Sequence, residues 1–248
     1  METDQYQLVL TFDYENLNTP IQTIAEKLDA ELTKVGLGKN SPKRIDVVAH
    51  SMGGLVVRHL IERIRKDHPL VKKFLLFGTP NGGSAFSNLS KVRDGAALML
   101  LLAANGAKYL IPTIAPWLYG ANGLIAGTKA ISPTLEQLHP TSTFIKDFKH
   151  NNLQTATQYH VIAGNVQHYA AKGHPLYRLW EKVKTTSLGV VYREEASDLI
   201  VSTAQVFDMP DGENVKRYEI GGYHMNYFEG EGLKLLFDIL ENNANTSV

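Results

Sequence analysis

The 248-residue sequence contains no cysteine, which excludes disulfide bonds, thiolate metal sites and a cysteine nucleophile. Charge of one sign is not in excess either, because 25 lysines and arginines balance 25 aspartates and glutamates. A balanced chain has no overall field that attracts nucleic acid, and we expect no nucleic-acid partner. The nine histidines lack metal-ligand spacing such as H-E-x-x-H, so we expect neither a metal nor another cofactor.

Long apolar runs are also missing. The longest, roughly 95–104, is too short to span a bilayer, and Asn105, Lys108 and Pro112 interrupt its continuation. The first residues carry acidic side chains and do not resemble a signal peptide. We therefore expect a cytoplasmic protein, with transient membrane contact at most, since no basic face accompanies the apolar segment.

Short β-branched runs alternate with segments of helical periodicity. This alternation predicts an α/β fold, with a mostly parallel sheet and helices on both faces. Strands are predicted at 6–12, 44–49, 73–78, 158–164 and 215–220. Helices are predicted at 20–35, 53–66, 141–150, 175–183 and 232–242. Thr19 is expected to cap the first helix, and Gly36 lies where that helix should end.

The segment 88–140 departs from the regular alternation. Its apolar residues are mixed with prolines and glycines, as in an insertion rather than a βαβ unit. Loops after parallel strands line the crevice at the carboxyl edge of a sheet, so this insertion is expected to lie over that crevice. It would serve as an acyl-binding lid or as a cap with a small core of its own. No linker or repeat divides the chain, and we expect one domain over 1–248.

The most informative segment is IDVVAHSMGGLVVR, in which an apolar strand runs into a small-x-Ser-x-Gly turn and then a helix. Ala49 and Gly53 let strand and helix approach closely, and Ser51 lies at the apex of the turn. The backbone N–H of Met52, at the start of the helix, can stabilise a developing oxyanion. The pattern predicts a nucleophilic serine; the alternative is an ordinary Ser-Gly turn.

AHSMGGLVVR followed by LLFGTPNGGS resembles the lipase-type α/β hydrolases, in the branch of GPI inositol-deacylase-like and lecithin:cholesterol-acyltransferase-like serine esterases. The resemblance covers most of the chain from about residue 12, and 49–54 and 78–84 are its most specific parts. Asn81 stands where a histidine is common in that branch. The resemblance implies an α/β-hydrolase fold with a helical lid, and an ester substrate, with lipid esters as one class.

A serine hydroxyl is a poor nucleophile at neutral pH and needs a base. In this fold the chain order is nucleophile, acid, histidine. His224 follows the last predicted strand and precedes the closing helix, where the histidine loop of the fold belongs, and it is predicted to be the base. The alternative is a surface loop histidine. His50, beside the nucleophile, is predicted to pack behind the site.

Asp198 is predicted to be the acid that orients His224. It lies in ASDLIVS, which matches the pattern of that branch: an acid followed by apolar residues and a serine. Such an aspartate accepts a hydrogen bond from the imidazole, fixes its tautomer and stabilises the imidazolium. The competing acids, for which solvation or a turn cap is the plainer explanation, are Glu194, Glu195, Asp208 and Asp211.

One strand of the fold has no candidate in the sequence. A single helix separates 6–12 from the nucleophile strand, so 6–12 corresponds to the fourth strand. The third strand, which lies between the two and whose following loop supplies the second oxyanion N–H, is missing. A gap inside a parallel sheet leaves backbone groups unpaired. We therefore expect a second segment or chain to complete the sheet, or the sequence to be a truncated product.

These observations predict a serine hydrolase that cleaves carboxylic esters through an acyl-enzyme. Amide cleavage and acyl transfer to an alcohol use the same residues and stay open as alternatives. The rival interpretation is a non-catalytic hydrolase-fold binding module, or an inactive piece of a larger protein. A lipid-binding protein that works through its apolar insertion is a further rival.

Overall fold

The computed structural model describes residues 6–15, 18–84, 133–149, 153–154, 156–168 and 196–241. Its strands are β1 (Ile45–His50), β2 (Val71–Phe77), β3 (Gln158–Asn165) and β4 (Val215–Gly221). Its helices are α1 (Ile21–Lys34), α2 (Met52–His59), α3 (Pro133–Gln137), α4 (Thr143–Lys149), α5 (Thr203–Phe207) and α6 (Gly230–Leu240). The predicted helix at 175–183 and most of the predicted lid, 88–132, lie outside the described residues. In the ranges the structure covers, no helix is long and apolar enough to cross a membrane.

The described strands form one parallel sheet in the order β1-β2-β3-β4, as the alternating pattern predicts. Successive side chains of β2 point to opposite faces, and both faces are covered. Phe74 and Leu76 pack in the cluster that contains Val57 of α2. Leu75 and Phe77 pack in the cluster on the α6 side. The apolar run 74–77 of β2 is thus buried by helices on both faces, which is typical of a parallel α/β sheet.

The start of α1 differs from the prediction. Thr19 does not cap the helix, because its hydroxyl donates to the Glu15 carboxylate (2.8 Å). The backbone amide of Ile21 instead donates to the side-chain oxygen of Gln137 in α3 (2.8 Å). The cap prediction is wrong because a distant side chain satisfies the helix start. Gly36 follows the helix with φ +83°, the left-handed conformation expected of a glycine at a helix end.

Helix α2 continues as a π-helical turn over Leu60–Ile64, and a buried ion pair anchors it. Arg58 donates to both carboxylate oxygens of Glu62 (2.8 and 3.1 Å) and to Asn81 Oδ1 (3.0 Å). Asn81 in turn donates to the backbone oxygen of Val206 (2.6 Å). The buried charges are compensated within the core. The network joins α2, the loop after β2 and α5 beneath the carboxyl edge of the sheet.

The segment 6–12 is not a strand, contrary to the prediction. Within the described residues no backbone hydrogen bond joins it to β1; one side-chain contact is the Tyr6 hydroxyl donating to Asp46 Oδ2 (2.6 Å). An apolar β-branched segment forms a strand only where a neighbouring strand pairs with it. Three consecutive apolar side chains are 69%, 81% and 49% exposed: Leu8, Val9 and Leu10. β1 is therefore an edge strand of the described sheet.

Candidate active site

Ser51 lies between the last residue of β1 and the first residue of α2, with φ +54° and ψ −132°. Its amide donates to the backbone oxygen of Phe77 (2.8 Å), and its carbonyl accepts from the amide of Gly54 (3.0 Å). A residue with a side chain costs about 1–3 kcal/mol in such a conformation. These two hydrogen bonds keep Ser51 in its strained backbone conformation. The serine hydroxyl lies at the apex of the turn.

The two glycines after Met52 have close neighbours, and the closer contact is at Gly54. A Cβ on Gly54 would lie 1.9 Å from the Thr79 hydroxyl oxygen, so no side chain fits between α2 and the loop after β2. A Cβ on Gly53 would lie 3.2 Å from the Tyr14 hydroxyl and 3.9 Å from Ala49 Cβ. Tertiary packing therefore requires glycine at position 54, whereas the turn itself favours small residues at Ala49 and Gly53.

His224 lies in the loop between β4 and α6 and contacts both of the other predicted site residues. Its Nε2 is 2.9 Å from Ser51 Oγ, and its Nδ1 is 2.7 Å from Asp198 Oδ2. An ionised carboxylate only accepts hydrogen bonds, so Nδ1 carries the proton and Nε2 is free to accept from the serine hydroxyl. The His224 amide also donates to the Asp198 carbonyl (2.9 Å), which links the two loops.

Asp198 is fully buried and its carboxylate accepts four hydrogen bonds. Oδ1 accepts from the amides of Ile200 (3.0 Å) and Val201 (2.8 Å). Oδ2 accepts from His224 and from the Tyr227 hydroxyl (2.7 Å). Burial alone would raise the pKa of Asp198, but the charge of His224 and these hydrogen bonds hold that pKa below its ordinary value. The carboxylate is therefore ionised at neutral pH.

The turn that carries Asp198 is itself strained. Leu199 has φ +81°, a conformation that is unfavourable for a bulky side chain. The Asp198 amide donates to the Val201 carbonyl (3.2 Å), and the two amides bound by Oδ1 close the turn from within. The same carboxylate that meets His224 thus keeps its own turn in shape.

His50 supports the site from beneath, in keeping with its predicted place. Its Nε2 donates to the carbonyl of His224 (2.7 Å), and the two imidazole rings lie 4.7 Å apart. Burial, and then the charge of His224, lower the pKa of His50 to about 3. His50 therefore stays neutral at physiological pH and adds no positive charge against the His224 imidazolium.

The other predicted site residues are placed as follows. Met52 begins α2, and its amide has no backbone acceptor among the described residues, as the first helical turn requires. Asp208 pairs with Lys149 (2.5 Å), and Asp211 pairs with Arg217 (2.8 Å). Glu194 and Glu195 lie outside the described residues. Of the candidate acids that the structure describes, Asp198 alone contacts His224.

Tyr227 is a residue of this site for which the sequence offers no motif. Only its spacing of three residues from His224, which can bring two side chains to one side of a turn, points to it. In the part of the chain that the structure describes, no three metal-ligating side chains cluster. The absence of a metal or cofactor from the reaction stays a prediction.

The arrangement has a definite chemical capacity. Ser51 follows β1, Asp198 lies beyond β3 and His224 follows β4, so all three meet at the carboxyl edge of the parallel sheet. A hydroxyl, an imidazole and a carboxylate in hydrogen-bonded series can transfer the hydroxyl proton to the imidazole, whose positive charge the carboxylate then stabilises.

A family model described as "Domain of unknown function (DUF7379)" matches residues 2–237. A comparison with curated proteins found no match. Among solved structures, the mature form of the Bacillus licheniformis lipase BlEst2 is similar with a TM-score of 0.50 and 18% identity, over 90% of this chain and 75% of that one. The propeptide form of the same lipase is similar with a TM-score of 0.54 and 18% identity, over 93% of this chain and 43% of that one. The phospholipase PlaB from Legionella pneumophila is similar with a TM-score of 0.50 and 13% identity, over 82% of this chain and 39% of that one.

These similarities concern the fold. The parallel sheet, its flanking helices and the similar structures show an α/β-hydrolase fold, in a partial form over the described residues. The chain spans less than half the length of PlaB and of the propeptide form of BlEst2. At identities of 13% to 18%, what those proteins act on does not transfer to this chain.

Proposed function

This chain belongs to the family described as "Domain of unknown function (DUF7379)", and we propose that it is a serine hydrolase that cleaves carboxylic esters through an acyl-enzyme. One observation carries the proposal: Ser51 Oγ, the His224 imidazole and the Asp198 carboxylate form an unbroken hydrogen-bonded series, with distances of 2.9 and 2.7 Å. The strained backbone of Ser51 and the ionised state of Asp198 both suit a nucleophile and its supporting acid.

In the proposed reaction Ser51 Oγ attacks the ester carbonyl carbon as its proton passes to His224 Nε2. The Met52 N–H stabilises the oxyanion of the tetrahedral intermediate. The intermediate collapses when the alkoxide leaves with the proton from His224, and Ser51 is left acylated. Water then attacks the acyl carbon and gives a proton to His224 Nε2. As the bond between Ser51 Oγ and the acyl carbon breaks, His224 returns that proton to Ser51 Oγ, which releases the acid and restores the free serine.

The proposal also covers the substrate class and the cellular context of the protein. We expect small-molecule esters, including lipid esters, as substrates, and an activity like that of the GPI inositol-deacylase-like and lecithin:cholesterol-acyltransferase-like serine esterases. Amide cleavage and acyl transfer would use the same residues. A cytoplasmic location, transient membrane contact, no nucleic-acid partner, a single domain and a lid over the crevice stay predictions.

A fluorophosphonate probe tests the proposal, because it labels a serine only when a neighbouring base activates it. We expect labelling of the folded wild-type protein and none of Ser51→Ala. Ser41→Ala, a serine change before β1 and away from the crevice, is the matched control and should label as the wild type does. A folded wild-type protein that resists the probe would support the rival, a non-catalytic binding module.

We further propose that an additional apolar strand, from another segment or another chain, pairs with the outer edge of β1 in the functional protein. The amide of Ser51 faces β2, so alternation along a parallel strand turns the amides of Val47 and Ala49 toward β2 and those of Val48 and His50 outward. These outward amides have no backbone acceptor among the described residues, and Val48 is 40% exposed.

Amide hydrogen exchange on the protein isolated from its natural source checks this. A covering strand would protect the amides of Val48 and His50 as well as those of Val47 and Ala49, and native mass spectrometry would tell a second chain from a longer single chain. Rapid exchange at Val48 and His50, with slow exchange at Val47 and Ala49, would show an open edge and refute the proposal.

A further inference from the structure

The Tyr227 hydroxyl lies between Asp198 and the sheet. It donates to Asp198 Oδ2 (2.7 Å) and accepts from the backbone amide of Gly164 in β3 (2.7 Å). Tyr227 is 1% exposed, so water does not compete for either bond. Because the Gly164 amide occupies the acceptor side of the hydroxyl, and the carboxylate can only accept, the hydroxyl proton points to Asp198.

Close packing fixes the ring as well as the hydroxyl. A Cβ on Gly78 would lie 2.6 Å from the Tyr227 ring, and a Cβ on Gly164 would lie 2.9 Å from its hydroxyl oxygen. The Phe77 ring packs against it at a centroid distance of 5.8 Å. Gly78 and Gly164 thus leave the space that the Tyr227 ring fills, and the close packing keeps the ring in one orientation.

Asp198 Oδ2 is the oxygen that also accepts from His224 Nδ1. A second strong donor on this oxygen disperses its negative charge, which weakens the hydrogen bond that the oxygen accepts from His224 Nδ1. The titratable groups that face the Asp198 carboxylate are His224 and Tyr227 from the loop after β4 and His50 from the end of β1.

We propose that Tyr227 is a positioning residue of this site: it fixes the Asp198 carboxylate in the plane of the His224 imidazole and sets how strongly His224 holds its proton. This inference rests on the proposed function, since it assigns Tyr227 a role in that same reaction. Burial, followed by the charge of Asp198, raises the pKa of Tyr227 well above its ordinary value, so the hydroxyl remains a donor throughout the working pH range.

Tyr227→Phe tests the proposal with ester turnover measured across pH. We expect kcat/KM per active site, counted by fluorophosphonate titration, to fall about tenfold. We also expect the acid limb, the part of the pH profile where kcat/KM falls as the pH is lowered, to move to higher pH by up to about one unit. The reason is that an Asp198 carboxylate without the tyrosine hydroxyl favours the protonated form of His224. Tyr159→Phe, a buried tyrosine change in the cluster on the opposite face of the sheet, should leave the acid limb in place.

Incorporation of 3-fluorotyrosine at position 227 should shift the acid limb in the direction opposite to Tyr227→Phe. This replacement keeps the hydroxyl and its hydrogen bond to the Gly164 amide. Its hydroxyl is more acidic and a stronger donor, so the acid limb should move to lower pH. An unchanged acid limb in both variants, with activity lost only in proportion to folded protein, would make Tyr227 merely structural and overturn the proposal. Failure of the wild-type protein to label with fluorophosphonate would instead count against the proposed function.

Discussion

Ser51→Ala is expected to lower the rate constant of ester hydrolysis by about a millionfold, and His224→Ala by a similar factor. The double variant should be no slower than either single variant. The reason is geometric: Nε2 and Oγ lie 2.9 Å apart, and in the proposed mechanism the imidazole acts only through the serine hydroxyl and the hydroxyl is activated only by the imidazole. Single-turnover kinetics with a p-nitrophenyl ester measure all three variants.

His68→Ala is the matched control for the histidine change, since His68 is exposed in the turn after the π-helical segment. It should retain the wild-type rate. Additive losses in the double variant would show that Ser51 and His224 act independently, which contradicts a shared proton transfer. A Ser51→Ala variant with wild-type turnover would place the chemistry elsewhere in the protein.

Asp198→Asn is expected to lower kcat by about four orders of magnitude, with a much smaller change in KM. An asparagine amide would donate to Nδ1 of His224 and so favour the tautomer with its proton on Nε2. That nitrogen could then no longer accept the proton of Ser51. The side chain keeps nearly the same shape in a fully buried position, so the loss reflects protonation more than packing.

The control for this change is Asp211→Asn, because the Asp211 side chain is 93% exposed and pairs with Arg217 instead. It should leave kcat unchanged. Circular dichroism and a thermal melt establish that Asp198→Asn is folded. A folded Asp198→Asn protein with wild-type kcat would remove Asp198 from the proposed mechanism, and the buried carboxylate would then serve only to hold its strained turn.

The sharp turn at Ser51 could be predicted because the small residues Ala49 and Gly53 are a local requirement of the turn, whereas the close approach of Thr79 to Gly54 could not be. A strand, a helix and one strained residue between them need small side chains at adjacent positions, and that need appears directly as AHSMGG. The parallel sheet could be predicted for a similar reason, since strands buried on both faces must be continuously apolar. The end of α1 at Gly36 also follows from a local conformational rule.

The sequence by itself determined the four strands β1 to β4, the helices α1, α2, α4 and α6, and the sharp turn at Ser51. Its choice of Asp198 and His224 as site residues stays a prediction. Only the tertiary structure decided that Gln137 satisfies the start of α1, that 6–12 pairs with no strand among the described residues, and that Tyr227 shares an oxygen of Asp198 with His224. The physical reason is range. Propensity and periodicity arise from neighbours along the chain, whereas caps, strand pairing and buried hydrogen bonds depend on partners that folding brings together from far apart in sequence.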